Sequence, residues 1–297
     1  MKRHFVRTNL FPLLAFLVVS FIVIAVSCRK TETTAAISGS NDESSIQFRN
    51  TTNFAFQNES LDDDDLGDAD GSDCATVTND PSKDVYPHTK TITYNNCTDN
   101  CKGRLFNGTK IVQYYVDPET AKPGDLLKEV TYEDFIMDSV KVSGNIKVYL
   151  VSDNPWKLHV VATRTYVIPG KDGVTKTFKG DHYRTLTAGG DTEDNSDDVY
   201  TITGTSSGNE ILHGGTVAKY TTVIDENDPV MKESDCCWRT SGTETTTLNV
   251  KTRGSETTLT EVLDYGNGEC DNEATLSING GEAQTVTLPL MFWPLNP

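Results

Sequence analysis

The stretch LHVVATRTYVI at residues 158–168, closed by PGKDG at 169–173, decides how the chain is read. Apolar and polar residues alternate through it, β-branched residues dominate, and the run that follows is turn chemistry. The same grammar holds at Thr91-Ile92-Thr93-Tyr94, from Asn145 to Val151, from Val199 to Thr203 and from Thr285 to Leu288. Arg253-Gly254-Ser255 and Asn279-Gly280-Gly281 punctuate further strand pairs. No segment combines end caps with a helical period, Tyr132 to Val140 being the least clear. The predicted fold is all-β over residues 74–297: an antiparallel meander of about eleven or twelve strands forming a sandwich or half-open barrel.

Moving toward the N-terminus, the grammar stops at Cys74. Residues 28–73 are rich in Thr, Ser, Asn and Asp, and LDDDDLGDADGSD at 61–73 is nearly a charge block. Such a segment buries too little apolar surface to offset chain entropy and is expected to be a disordered acidic tether. Its aspartates approach an EF-hand loop but miss the spacing: with Gly67 as the loop glycine, Leu66 falls on a ligand position.

Residues 1–27 form a third region. Lys2, Arg3 and Arg7 precede an apolar run from Leu10 to Val26, and small Ser27 stands before Cys28. These are the parts of a secretory signal peptide. Ala25-Val26-Ser27-Cys28 resembles a bacterial lipobox, with Ala25 where that pattern prefers Leu, which implies lipidation of Cys28. Several acyl chains on one cysteine anchor a protein stably where a single chain does not. Arg29 stands where an inner-membrane retention signal would place Asp, so an outer-membrane lipoprotein of the cell envelope is expected, its leaflet left open.

The whole chain of 297 residues carries a net charge of −17, and removing the three cations of the signal makes the rest more acidic still. That sign excludes a nucleic-acid binder that works by neutralising phosphates. A mean hydropathy of −0.42 excludes a polytopic helical membrane protein.

With Cys28 lipidated, Cys74, Cys97, Cys101, Cys236, Cys237 and Cys270 remain, an even set in an exported chain, which predicts disulfides. An internal echo narrows the pairing. TYNNCTDN at 93–100 followed by Asn107-Gly108 repeats the order of DYGNGECDN at 264–272 followed by Asn279-Gly280. If Cys97 and Cys270 occupy equivalent corners, each pairs with an earlier cysteine, giving Cys74–Cys97, Cys237–Cys270 and Cys101–Cys236. Placing Cys236 and Cys237 on one strand points them to opposite faces, as this scheme requires. The alternative, a zinc tetrathiolate from Cys97, Cys101, Cys236 and Cys237, is disfavoured by the vicinal pair.

The DYGNGECDN and SING motifs, with TYNNCTDN and SDDVYTITGTSSGNE, resemble an uncharacterised group of Bacteroidota cell-envelope lipoproteins. The resemblance covers most of the chain beyond Cys74. It implies envelope location and β architecture, and no catalytic role. The chain departs from the pattern in the first copy, where Asn95 and Asn96 replace a glycine-bearing turn.

Chemistry-bearing motifs are sparse. His88, His159, His182 and His213 stand in no metal or nucleophile motif, and Leu212-His213-Gly214-Gly215 lacks an accompanying nucleophile elbow. Asp181-His182-Tyr183 reads as an acid–base pair on paper and as a strand surface in the plainer view. Asp191, Glu193, Asp194, Asp197 and Asp198 crowd one loop, and calcium takes such oxygen ligands, so this is the one cofactor candidate. Trp156, after Asn154-Pro155, is a candidate for stacking on a sugar ring. The expected function is a non-enzymatic binding or structural module of the envelope, with a glycan or envelope protein as partner. The alternative is a hydrolase of envelope or other polysaccharide using carboxylates of loops between Asp181 and Asp198.

The lipobox gives the first testable consequence. Cys28→Ala shifts the protein from the membrane to the soluble fraction; continued membrane association would make the Leu10–Val26 run itself the anchor.

Overall fold

A computed structural model of the chain describes residues 74–98, 103–168, 174–192, 194–211, 217–251 and 255–288. Cys28, the signal peptide, the tether, Cys101, Glu193 and His213 lie outside them.

The described residues form one antiparallel sheet of 14 strands. In chain order these are β1 (Ala75–Asp80), β2 (His88–Thr98), β3 (Leu105–Tyr114), β4 (Leu126–Met137), β5 (Val140–Asp153), β6 (Trp156–Val167) and β7 (Thr175–Ala188). The second half holds β8 (Val199–Ile211), β9 (Val217–Ile224), β10 (Val230–Glu233), β11 (Arg239–Lys251), β12 (Glu256–Asn267), β13 (Glu273–Ile278) and β14 (Gln284–Thr287). The all-β meander is as the alternation predicts. Among the described residues the only helical turn is a 3-10 turn at Asn195–Asp197.

The strand number exceeds the predicted eleven or twelve for two reasons. A short strand such as β10, four residues long, has too few alternations to register in sequence. In addition, β9 and β10 share one strand position. β9 pairs with Gly204–Ile211 of β8 and Thr245–Lys251 of β11, while β10 pairs with Val199–Ile202 and with Arg239 and Ser241 of the same two strands. Asp225–Pro229 interrupts them: the Asp225 carboxylate accepts the Asn227 N–H at 2.8 Å, a local turn, and Pro229 has no N–H to give to a ladder. The segment from Tyr132 to Val140 is the end of β4, a bulge, and a hairpin turn at Asp138 and Ser139, which take φ of 48° and 70°.

Alternation separates two faces. In β11 the burial alternates residue by residue, with Leu248 fully buried and Thr245 and Thr247 toward solvent. Threonine crowds the solvent side, where its β-branched stem suits the pleat and its hydroxyl meets water. The inward face carries the main core, which runs from Ile92 and Tyr94 on β2 through Phe135, Val148 and Phe178 to Tyr220 and Leu248. A second cluster joins Ile202, Ile224, Val230, Leu263, Tyr265 and Leu288. Among the described residues these strands form a single sheet, and its buried side chains gather on one face. β1 and β14 each pair with one neighbour, β2 and β13, and so are its edge strands.

Close approach between β7 and β8 needs glycine at one point. Gly204 lies opposite His182 with φ +129°, and a Cβ there would sit 2.3 Å from the Asp181 carbonyl oxygen. Both the backbone angle and the space exclude a side chain. Gly204→Ala is expected to destabilise the domain by more than about 1 kcal/mol, and Thr205→Ala beside it by less than about 0.5 kcal/mol, measured by denaturant unfolding.

Candidate functional site

Two disulfides can be placed among the described residues. Cys74 bonds Cys97 as expected, with Cα atoms 5.3 Å apart, tying the start of β1 to the bulge in β2. Cys270 bonds Cys236, with Cα atoms 5.7 Å apart. This corrects the expected Cys237–Cys270 and Cys101–Cys236 pairs. The expectation placed the vicinal pair on a strand, whereas Cys236 and Cys237 lie in the turn between β10 and β11, where strand alternation does not operate. The Cys236 N–H is held by the Glu233 carbonyl at 3.1 Å, and its sulfur accepts the Trp238 N–H at 3.4 Å. Cys237 is also disulfide-bonded, so Cys97, Cys236 and Cys237 are not thiolate ligands for zinc.

The two echo corners share a plan. Tyr94 and Tyr265 are both buried, and each precedes a left-handed residue: Asn96 at φ 53° and Gly266 at φ 97°. Asparagine tolerates that conformation second only to glycine, so the departure in the first copy preserves the bend.

Asp181 and His182 do not form a pair with each other. They are neighbours mid-strand in β7, and a strand sends them to opposite faces. Asp181 is therefore not a loop carboxylate, as the hydrolase reading assumed. On the solvent face its Oδ1 lies 2.8 Å from His159 Nε2, on β6. His159 stands opposite Tyr149 on one side and Tyr183 on the other. The His159 and Tyr183 rings stack with centroids 4.8 Å apart, and Tyr149 follows at 6.0 Å. Lys157 Nζ caps the Tyr183 ring at 4.9 Å. One row over, Glu129 accepts from Asn145 at 2.7 Å and from the Tyr115 hydroxyl at 3.2 Å, with Lys147 at 3.9 Å. Desolvation first, then the Glu129 charge, holds the Tyr115 phenol above its ordinary value, so it stays a donor. The result is a polar–aromatic strip on the solvent side of β4 to β7. Sequence reading missed it because the partners are strands apart.

Trp156 is not part of this strip. It opens β6, half-buried, on the same strand face as Leu158 and Val160, opposite to that of His159. Trp238 packs on the second core cluster. In the acidic loop, each described carboxylate that has a partner is engaged locally. Asp194 accepts the Ser196 N–H at 2.9 Å, Asp197 accepts the Thr192 hydroxyl at 2.9 Å, and Asp198 accepts the Tyr200 hydroxyl at 2.7 Å. Asp191 is exposed. No group of three or more His, Cys, Asp or Glu side chains is placed to hold a metal ion among the described residues.

The inward face carries chemistry that the sequence reading did not extract. Lys110, Arg164, Lys176, Arg184 and Lys232 are all buried, and cations there lie against tyrosine rings. Arg184 stands 3.6 Å from the Tyr200 centroid, Lys176 4.9 Å from Tyr220, Arg239 5.3 Å from Tyr265 and Arg164 5.9 Å from Tyr132. Arg239 also pairs with Glu244 and donates to the Tyr265 hydroxyl at 2.9 Å. Lys176 faces fully buried Glu210 in register. Reading TKTFKGDHYRTL at 175–186 by twos would have found the signal, because Lys176, His182 and Arg184 share a face with Phe178 and Leu186.

His182 sits among these groups. Its pKa is pushed down to about 4, first by burial and then by Arg239, with smaller contributions from Arg164 and His159; Asp181 opposes. The ring is therefore neutral at physiological pH. In the unfolded chain it binds a proton below about 6.5, so its contribution is fully present above that pH. It is lost as pH falls toward 4. Unfolding free energy is expected to drop by on the order of 3 kcal/mol from this group between pH 7 and pH 4, and His182→Gln to flatten that part of the slope in denaturant melts.

Compared with protein-family models, with curated proteins and with solved structures, the chain matches none of them, so the reading of the site rests on its own geometry.

Proposed function

We propose that this protein is a lipid-anchored component of the cell envelope whose β domain acts as a non-enzymatic binding module. The observation that carries the reading is the strip on the solvent face of β4 to β7. Tyr149, His159 and Tyr183 line up across three strands, and the His159 and Asp181 side chains remain 27% and 61% exposed. Aromatic side chains on a rigid sheet present large contact area at little entropic cost, and the flanking Glu129, Lys147, Lys157 and Asp181 offer donors and acceptors for a polar partner. A glycan or an envelope protein has that chemistry. Supporting the anchoring are the cationic start, the apolar run and the lipobox-like sequence ending in Cys28.

The test is capture of partners by the immobilised protein, from a glycan array and from detergent-solubilised envelopes. Tyr149→Ala/Tyr183→Ala is expected to weaken the captured interaction by about tenfold or more, the effect of losing ~1.4 kcal/mol at an anchor. Lys251→Ala, on β11, leaves it unchanged. Capture indifferent to the tyrosine pair would remove the strip from the account, and turnover of a polysaccharide in the same screen would favour the hydrolase instead.

A further inference from the structure

Among the buried cations of the described residues, Arg184 lies on the opposite side of the sheet from the strip, and its hydrogen-bonding is incomplete. Arg184 stands in register between Leu158 of β6 and Ile202 of β8, 8% exposed. Its Nε is buried without a hydrogen-bond partner, and Arg184 forms no ion pair among the described residues. One face of the guanidinium is covered by the Tyr200 ring at 3.6 Å. Asp198 accepts the Tyr200 hydroxyl at 2.7 Å and forms no ion pair with Arg184 among the described residues. On the far side of Tyr200, in register with it, is Lys232, 5% exposed. Its ammonium donates to the carbonyl oxygens of Glu233, at 3.0 Å, and Cys236.

Two buried cations thus flank Tyr200, with one carboxylate bonded to neither. Burying a charge without a hydrogen-bonded counter-ion is costly, and guanidinium has a planar donor fork that matches an oxyanion. The residues beside Arg184 in register, Leu158 and Ile202, are apolar. We propose that Arg184, backed by Tyr200 and flanked by Lys232, anchors an oxyanion site on the inward face that takes a carboxylate or phosphate borne on an apolar body.

The test is calorimetric titration of the full-length protein with benzoate, phenyl phosphate and inorganic phosphate at constant ionic strength, with chloride as the control. Saturable binding of benzoate or phenyl phosphate is expected, and the stronger of the two identifies the oxyanion. Arg184→Met should weaken it by about tenfold or more. Because that substitution removes a buried charge with no bonded carboxylate and keeps an apolar stem, the variant should melt near the wild type without ligand. Should it fail to fold, Arg184→Lys keeps the charge but not the fork, and a severalfold loss of affinity is expected there. Absence of saturable heat with all three probes, or equal binding by wild type and the Arg184 variants, would overturn the site. Equal affinity for inorganic phosphate and phenyl phosphate would overturn its apolar part.

Discussion

One constraint organises the domain: in a single ladder of paired strands every second side chain falls on the same face, and on that face they have to pack together. Where neighbouring strands approach most closely no side chain fits, as at Gly204 opposite His182 in the β7–β8 ladder. Packing on the buried face runs from Ile92 through Phe178 to Leu248 in one cluster. The two mapped disulfides close local corners, one where β1 meets the bulge of β2 and one between the turn after β10 and the segment after β12. They stabilise by restricting the unfolded chain, while the sheet itself rests on the ladder and core.

A buried face made from alternating strands inherits whatever the sequence places at every second position. Here that includes arginine and lysine as well as valine and phenylalanine. Tyrosine is the common neighbour of these cations: its ring accepts the charge while its body packs as a hydrophobe, and its hydroxyl reaches a carboxylate or carbonyl. Tyr200 does both for Arg184 and Asp198, and Tyr220 does so for Lys176 and the Thr177 carbonyl, 3.0 Å away. His182 solves the same problem by giving up its proton. Although acids dominate the composition overall, the buried face carries cations as well as acids, among them Lys176, Arg184 and Glu210.

The two sides of the sheet lend themselves to different chemistry. The solvent side between β4 and β7 carries exposed rings, carboxylates and lysines held in register by the ladder, suited to recognising a large polar surface. The inward side carries desolvated cations among apolar neighbours, suited to a small anion. Both arrangements draw on adjacent residues of the same strand, as Tyr183 and Arg184 show.

The strands were readable because they depend on local chemistry. Alternation at 158–168 and the Asn279-Gly280 turn each follow from neighbouring residues. The Cys74–Cys97 bond was legible through the echo, since both corners place a buried tyrosine before a left-handed residue. What the sequence could not decide is register. Glu129, His159 and Asp181 come together only because particular strands pair in particular registers, and a slip of one residue would send His159 inward. The pairing of Cys270 with Cys236 depended on a turn that breaks alternation, and the collinear β9 and β10 on the lengths of two distant strands. Period-two pattern assigns each residue a face, but which face is buried and which side chains meet on it are decided only when the strands pair in register.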